Sequence, residues 1–505
     1  MLATAATFTI EGVRSREILV EVDLRQGLPA FTVVGLADTA VREARERVRA
    51  ATLNSGLEFP LKRVTANLAP AYLRKTGATF DLALAVALLS ASGQLPDGAL
   101  EGCAICGELS LSGDIRSMGG AIAMAFGARE RGYRRLVVPE HNAPEAALVD
   151  GIEVFGVPSL GRLVELLTGS WTPSPVRPAR RHRTRPPGSG LDLADVRGQD
   201  DAKRALEIAA AGGHSLLMIG PPGAGKTMLA RRLPGILPPP TFDETVEITN
   251  VHSIAGLGGR RLACERPFRA PHHTISAPGL VGGGNRPAPG EITLAHRGVL
   301  FLDELAEFSR AALEALRQPL EDGRVVVTRA QRTIDFPAAV MLVGASNPCP
   351  CGRAGGECSC GAAEHARYLR RLSGPLVDRI DLVCELAPTS PRALVDEPSE
   401  EPSATVRARV LAARERQGRR LAGAGVQANG AMDGPLTRRH VRLGPDAVTR
   451  MLEGHLQLGL SGRGHDRVLR LARTIADLAG REHVEARDID EALGFRMPPA
   501  LSEAA

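Results

Sequence analysis

The run Gly220, Pro221, Pro222, Gly223, Ala224, Gly225, Lys226, Thr227 constrains this chain more than any other stretch. An apolar segment, Ser215-Leu-Leu-Met-Ile219, precedes it and a helix-like segment, residues 228–233, follows. Strand, glycine loop and helix in that order make a phosphate-binding P-loop. Glycines let successive backbone N–H groups turn inward around a β-phosphate, and the positive end of the following helix favours the same anion. Lys226 is then expected to reach the β- and γ-phosphates and Thr227 to hold Mg²⁺ through its hydroxyl, so ATP and Mg²⁺ are the expected cofactors.

A chain of 505 residues has room for roughly three domains. Aromatic residues make up only 3%, so its cores must be built from Leu, Val, Ile and Ala. No apolar run approaches the ~18–20 residues of a membrane helix, and the first residues lack the basic region of a signal peptide. A cytoplasmic protein with no membrane partner is expected. The net charge of +5 is too small to argue for nucleic acid by itself. Its eight cysteines, in a cytosolic chain, point to metal or buried thiols before disulfides.

Residues 1–169 read as an α/β domain. Strand-like runs (Phe8-Thr-Ile10, Ile18-Leu-Val-Glu-Val22, Phe31-Thr-Val-Val34) alternate with helix-like segments at 40–53, 81–91 and 121–131. The segments Gly107-Glu-Leu-Ser-Leu-Ser-Gly-Asp-Ile115, Gly119-Gly120 and Gly132-Tyr-Arg-Arg-Leu-Val-Val-Pro139 resemble the proteolytic domain of Lon. That resemblance implies a Ser/Lys dyad, but Thr79 stands at the first position and Met124 at the second. Without a base to take its proton a Thr hydroxyl is a poor nucleophile, so a non-catalytic Lon-like scaffold is expected. Cys103 and Cys106 lie on a strand-like run where i and i+3 point to opposite faces, and read as buried thiols.

Residues 170–190 form a Pro/Arg-rich linker, extended and either solvated or laid along a phosphate backbone. From 191 to 387 the chain carries residues that fit around a nucleotide. Gln199 and the helix after it occupy the place where AAA+ proteins cover the adenine. Gly298-Val-Leu-Phe-Leu-Asp303-Glu304 is an apolar strand ending in two carboxylates, the Walker B pattern. Asp303 is expected at Mg²⁺ and Glu304 as base or orienter for the attacking water. A second apolar strand, Val340-Met-Leu-Val-Gly-Ala-Ser, ends at Asn347, placed to position that water. Arg379, in Val-Asp-Arg379-Ile-Asp381, is expected to reach a neighbouring subunit's site, against an internal ion pair with Asp378 or Asp381.

Asp322-Gly-Arg324-Val-Val-Val-Thr-Arg329-Ala-Gln-Arg332-Thr-Ile-Asp335 reads as a hairpin with arginines near its tip. Arg324, Arg329 and Arg332 would suit a nucleic-acid backbone, against a hairpin packed on its own subunit. His272 and His273 precede Walker B. Adjacent residues on an extended chain diverge, which argues against joint metal ligation and leaves DNA contact, subunit contact and packing open. Cys349, Cys351, Cys358 and Cys360 lie within a dozen residues among glycines, and four thiolates so spaced match a tetrahedral structural Zn²⁺ site.

Residues 388–505 read as a C-terminal helical lid, with helices at 404–421, 445–456, 464–480 and 486–494 after an acidic, proline-containing break. Arg463 is favoured over Arg470 as an arginine supplied to the γ-phosphate. Together the Lon-like first domain, the P-loop, the Pro-His-His segment, the Cys cluster and Ile475-Ala-Asp-Leu resemble the ComM/YifB magnesium-chelatase-like AAA+ proteins over nearly the whole chain. The resemblance implies an α/β P-loop AAA+ ATPase with an N-terminal Lon-protease-like α/β domain and a C-terminal helical lid. It further implies a hexamer acting on DNA, as a branch-migration helicase in natural transformation; a chelatase-type motor and a protein remodeller are the alternatives.

Overall fold

The computed structural model describes residues 1–35, 39–71, 79–177, 190–257, 263–283, 288–329, 332–353, 358–372, 376, 379–388 and 401–496. Most of the 170–190 linker, the tip of the 322–335 hairpin and the 389–400 break lie outside them. The chain divides into two units, one of Met1–Arg183 with Thr245–Ala263, the other of Thr184–Glu244 with Cys264–Ala505.

In the first unit Leu2–Glu11 (β1) and Arg14–Arg25 (β2) form an antiparallel hairpin in register from Leu2↔Asp23 to Glu11↔Arg14. Buried and half-exposed residues alternate along β2, while β1 is buried continuously from Ala5 to Thr9. The difference follows from position. With Ala30–Val34 (β3), Arg63–Ala69 (β4), Cys103–Ile105 (β5), Arg135–Pro139 (β6) and Glu153–Val157 (β7), the order is β3-β4-β2-β1-β5-β6-β7, so β1 is central and covered on both faces. Thr39–Asn54 (α1), Asp81–Ala91 (α2), Ala121–Glu130 (α3) and Leu160–Thr168 (α4) complete the layers. Apart from Ser90, α2 is buried all round, as a helix apolar on every side must be.

Met124 is buried in α3 among Phe8, Ala104 and Leu136, so apolar packing occupies the place where the dyad would need an amine. Cys103 and Cys106 are buried free thiols, both pushed up to about 11 by burial, with Thr7 Oγ1 donating to Cys106 Sγ at 3.5 Å. Residues 245–263 are tied into this unit. Asn250 Nδ2 donates to Val13 O at 2.7 Å, and Ser253 Oγ accepts from Gly120 N at 2.7 Å.

The second unit is built on parallel strands. Leu216–Ile219 (β8), Phe268–Arg269 (β9), Val299–Leu302 (β12), Met341–Ser346 (β15) and Leu382–Glu385 (β16) run in the order β9-β12-β15-β8-β16. Between them in sequence come two hairpins, Gly282–Gly283 (β10) with Ala288–Pro289 (β11) and Arg324–Arg329 (β13) with Arg332–Pro337 (β14). Every residue of β8, β12 and β15 is buried, the pattern of strands covered by helices on both faces. Those helices include Asp200–Gly212 (α5) and Lys226–Ile236 (α6); Phe242–Ile254 (α7), Ala277–Val281 (α8) and Ala362–Leu372 (α9) follow along the chain.

Ser403–Arg420 (α10), Pro445–Leu458 (α11), Gly462–Leu478 (α12) and Ala486–Gly494 (α13) stand within two residues of their expected bounds. They share one hydrophobic core with the sheet: Val410, Ala413, Leu471, Ile475 and Ile489 pack with Ile208, Leu216 and Leu233. Polar ties reinforce that junction. Leu193 N donates to Ser403 Oγ at 2.8 Å, and Gln417 Nε2 to Ala211 O at 3.0 Å. No helix among the described residues is long and apolar enough to cross a membrane.

Candidate nucleotide site

Parallel strands deliver the site. Loops leaving the carboxyl ends of β8, β12 and β15 emerge at one edge of the sheet, and these are the loops that hold the P-loop, Asp303-Glu304 and Asn347. Gly223 and Gly225 sit at φ 81° and 89°, the left-handed region that a residue with a Cβ rarely adopts. The turn they make begins α6 at Lys226, with its first N–H groups unpaired within the helix and facing the loop.

Lys226 folds back over its own loop. Nζ donates to Gly220 O at 2.6 Å, Pro221 O at 3.0 Å and Asn347 Oδ1 at 3.0 Å. Burial holds its ammonium below the usual lysine range, while the Asp303 and Glu304 carboxylates pull it back up. Thr227 Oγ1 donates to Asp303 Oδ2 at 2.7 Å, so the hydroxyl and carboxylate expected at Mg²⁺ face each other. A hydroxyl and a carboxylate beside a phosphate cradle suit a hard cation that keeps several waters.

Glu304 adopts φ 53°, and Gln199 φ 62°; with Arg297 they are the non-glycine residues of positive φ among the described ones. Strained backbone of this kind persists where the surroundings over-determine it. Gln199 Nε2 donates to Ala387 O at 2.7 Å, tying the start of α5 to the exit of β16. Glu304 Oε2 lies 3.0 Å from His273 Nδ1.

Asn347 is supported from behind. Tyr368 OH donates to Asn347 O at 3.0 Å and lies 3.0 Å from Ser346 Oγ. Sequence reasoning missed Tyr368, because nothing local links a tyrosine in α9 to a strand end 21 residues before it. Two residues beyond Asn347 begins the cysteine cluster. The Sγ atoms of Cys349, Cys351, Cys358 and Cys360 all lie within 4.8 Å of one another, with 3.1, 3.6 and 3.8 Å between named pairs. A tetrahedral ion ~2.3 Å from each sulfur sets them about 3.8 Å apart, so the donor set and its spacing fit zinc. Backbone N–H groups of Arg353 and Ser359, with Cys349, bring the Cys351 thiol down to about 5. A cavity between the cluster and the loop is lined by Gly220, Pro221, Cys349, Arg353, His365 and Glu385.

The arginines divide. Arg379 pairs with Glu321, and its carbonyl accepts from Ser215 Oγ at 3.0 Å. Asp378 lies outside the described residues. Arg463 is exposed in the first turn of α12, whose cap Ser461 accepts from Gly464 N at 3.1 Å. Arg470 donates to Gly430 O and Met432 O at 2.9 Å each and faces Asp381 at 3.7 Å, which commits it to holding the C-terminal helices.

On the 324–337 hairpin, Val325, Ile334 and Phe336 are buried on one face, and Arg324 faces Asp335 at 3.6 Å. Arg329 and Arg332 are paired in backbone register next to the tip; their side chains lie outside the described residues. Thus Lys226, Thr227, Asp303 and Asn347 are brought together directly, whereas Arg463 and the hairpin arginines are not joined to them by any contact among the described residues.

Comparison with known families agrees along the chain. The family model for magnesium chelatase, subunit ChlI, matches residues 192–394, that for subunit ChlI of Mg-chelatase residues 20–142, and that for the ChlI C-terminal region residues 400–496. A protein of Mycobacterium tuberculosis is 46% identical over 99% of each chain. YifB of Salmonella typhimurium is 44% identical over 98% of this chain and 97% of its own. Competence protein ComM of Haemophilus influenzae is 43% identical over 96% of this chain and 95% of its own.

Proposed function

This chain belongs to the ComM/YifB family of magnesium-chelatase-like AAA+ proteins, and from that premise we propose that it is a ring-forming ATPase that couples ATP hydrolysis to remodelling of DNA. The observation that carries the ATPase reading is the convergence of Lys226 Nζ on Asn347 Oδ1 at 3.0 Å beside Thr227 Oγ1 on Asp303 Oδ2 at 2.7 Å. Lys226 and the 220–227 backbone bind the phosphates, Thr227 and Asp303 hold Mg²⁺, and Gln199 borders the adenine. Held by Thr227 and Asp303, Mg²⁺ would supply positive charge to offset that of the phosphates. Asn347 orients the attacking water, Glu304 takes its proton, and in a hexamer Arg379 comes from the next subunit and Arg463 from the C-terminal helices. Four thiolates, Cys349, Cys351, Cys358 and Cys360, hold a structural Zn²⁺.

DNA enters the reading through the hairpin. Arg329 and Arg332 pair next to the tip of one two-stranded ribbon, while Arg324, expected near the tip, stands at its base opposite Pro337; arginines along such a ribbon suit a backbone of phosphates without reading its sequence. A relative named as a competence protein makes branched or single-stranded DNA in recombination the first substrate to try. The matches to magnesium-chelatase models favour a second reading, a chelatase-type motor or protein remodeller with no DNA role.

ATP turnover measured at low salt with single-stranded, duplex and forked DNA separates the two. Stimulation that fades as salt rises is expected of the DNA motor. Unchanged turnover with all three, and an unchanged oligomeric mass by light scattering, would rule out DNA and favour the second reading.

A further inference from the structure

Gly352 sits between Cys351 and Arg353 at φ 77°, and its N–H donates to Cys349 O at 3.0 Å, closing a turn within the cysteine loop. That turn meets the phosphate-binding loop. A Cβ added at Gly352 would stand 2.9 Å from both Cδ and Cγ of Pro222, closer than two carbons approach unless one gives way. Beside this contact the loop is open: a Cβ at Gly223 or Gly225 would meet nothing within 4 Å. The loop's first residue is held from another direction. Gly220 N donates to Ser346 O at 3.2 Å, and its backbone lies so close to Leu386 that a Cβ there would stand 2.8 Å from Leu386 O. The cavity lined by Gly220, Pro221, Cys349 and Arg353 lies between the two loops, so the cysteine loop reaches past it to touch the phosphate loop at Pro222.

We propose that Gly352 is a positioning residue: through Pro222 the cysteine loop props residues 220–227 in the shape that takes a nucleoside triphosphate, and so sets the affinity for nucleotide more than the rate of the chemical step. A loop with three glycines has many shapes without its ligand, and ordering it on binding costs affinity. A support that already holds it reduces that cost. Only a residue with no Cβ lets the backbone of one loop come this close to the ring on the other. This rests on the reading of residues 220–227 as the phosphate-binding loop.

Titration of the full-length chain with a fluorescent ATP analogue and Mg²⁺, run beside steady-state ATP turnover and metal analysis, tests it in Gly352→Ala, Gly352→Asn, Pro222→Ala and the double variant Gly352→Ala with Pro222→Ala. Gly352→Ala should raise Kd and KM for nucleotide roughly 5- to 30-fold, with kcat changed far less and the metal content of the wild type kept. Gly352→Asn should do the same, because asparagine tolerates the left-handed backbone yet brings the same Cβ. In the Pro222→Ala background, where Cγ and Cδ are gone, adding Gly352→Ala should cost about 2-fold or less. An unchanged Kd in Gly352→Ala overturns the proposal. So does a loss that persists undiminished in the double variant, or a Gly352→Asn that binds like the wild type, since either places the effect in backbone strain. A fall in kcat as large as the rise in KM overturns it as well. If Gly352→Ala does not fold or loses its metal, Gly352→Asn with and without Pro222→Ala decides by the same comparison. Lys226→Ala decides the underlying reading separately: lost nucleotide binding keeps the phosphate loop even when the Gly352 result is negative, and wild-type affinity removes it whatever Gly352 does. A wild type that binds no nucleotide overturns both.

Discussion

Lys226 Nζ and Asn347 Oδ1 lie 3.0 Å apart, so the lysine of the glycine loop and the amide ending the neighbouring strand act as one polar unit. Tyr368 holds the other side of Asn347 through its carbonyl and meets Ser346 as well. Substitution of Asn347 by Ala should lower kcat about 10- to 100-fold, the cost of one misplaced polar group at a reacting centre, with ATP affinity nearly kept. Tyr368→Phe should lower kcat less, by roughly 2- to 5-fold, and cost about 1 kcal/mol of stability. Turnover and fluorescent-nucleotide titration of the two variants check both; equal effects would mean that Tyr368 does more than support Asn347.

Arg379 is held by Glu321 within its own chain. The proposal asks it to serve the next subunit, a role that subunit mixing isolates. Arg379→Ala and Lys226→Ala should each be inactive alone, while a mixture should recover part of the wild-type turnover, since some interfaces then pair an intact loop with an intact arginine. If mixing restores nothing, Arg379 belongs to its Glu321 contact and to Ser215, and the ring reading loses its interface residue.

The cysteine cluster begins two residues after Asn347, so its integrity should be felt at the nucleotide. Freshly reduced protein should carry about one Zn²⁺ per chain by metal analysis. Cys351→Ser should lose it, lower the melting temperature by roughly 5–10 °C and reduce ATP turnover. Metal-free wild type with full stability would make the four thiols a cluster without an ion.

His214 is fully buried, with Nδ1 3.3 Å from Asp381 and Nε2 2.8 Å from Thr474 Oγ1. Burial holds its imidazole below the usual histidine range, with Asp381 pulling the other way. The folded chain therefore binds this proton less tightly than the unfolded chain. Its stabilising effect is complete above the ordinary histidine pKa of about 6.5 and is lost as pH falls below that value. Asp381 adds a loss at lower pH: although burial alone would push its carboxyl up, His214, Arg470 and Arg467 hold it below the usual carboxylate range. Asp81 acts in the opposite direction, since burial pushes its carboxyl up to about 6 against the pull of Arg47. The difference between wild type and His214→Gln isolates the histidine. The variant should be about 2–3 kcal/mol less stable at pH 7, and the gap should narrow toward pH 5 when melting is followed across that range. A gap that stays constant would mean His214 does not titrate.

Local chemistry was the legible part. A glycine loop between an apolar strand and a helix, a strand ending in Asp303-Glu304 and another ending at Asn347 each announce themselves within a few residues, and the helices after 400 carry clear periodicity. Long-range pairing was not legible. His214 meets Thr474 across 260 positions, and nothing near either residue hints at the other. The linear reading left the role of His272 and His273 open because only the parallel neighbouring of β9 and β12 brings His273 to Glu304. Sequence favours Arg463 over Arg470 without showing what either one meets, and Arg470 is taken up by the carbonyls of Gly430 and Met432. A break in composition marks where the C-terminal helices begin, but the core they share with the sheet depends on which faces meet.

The path of the backbone has a consequence for descent as well as for shape. Because the first unit takes in Thr245–Ala263, the chain changes unit at residues 183, 244 and 263. A gene fragment ending at 183 would carry Val13 and Gly120 without the Asn250 and Ser253 that meet them. The first unit is thus no cassette that recombination can trade in one piece, because no single uninterrupted segment confined to it carries both sides of those contacts.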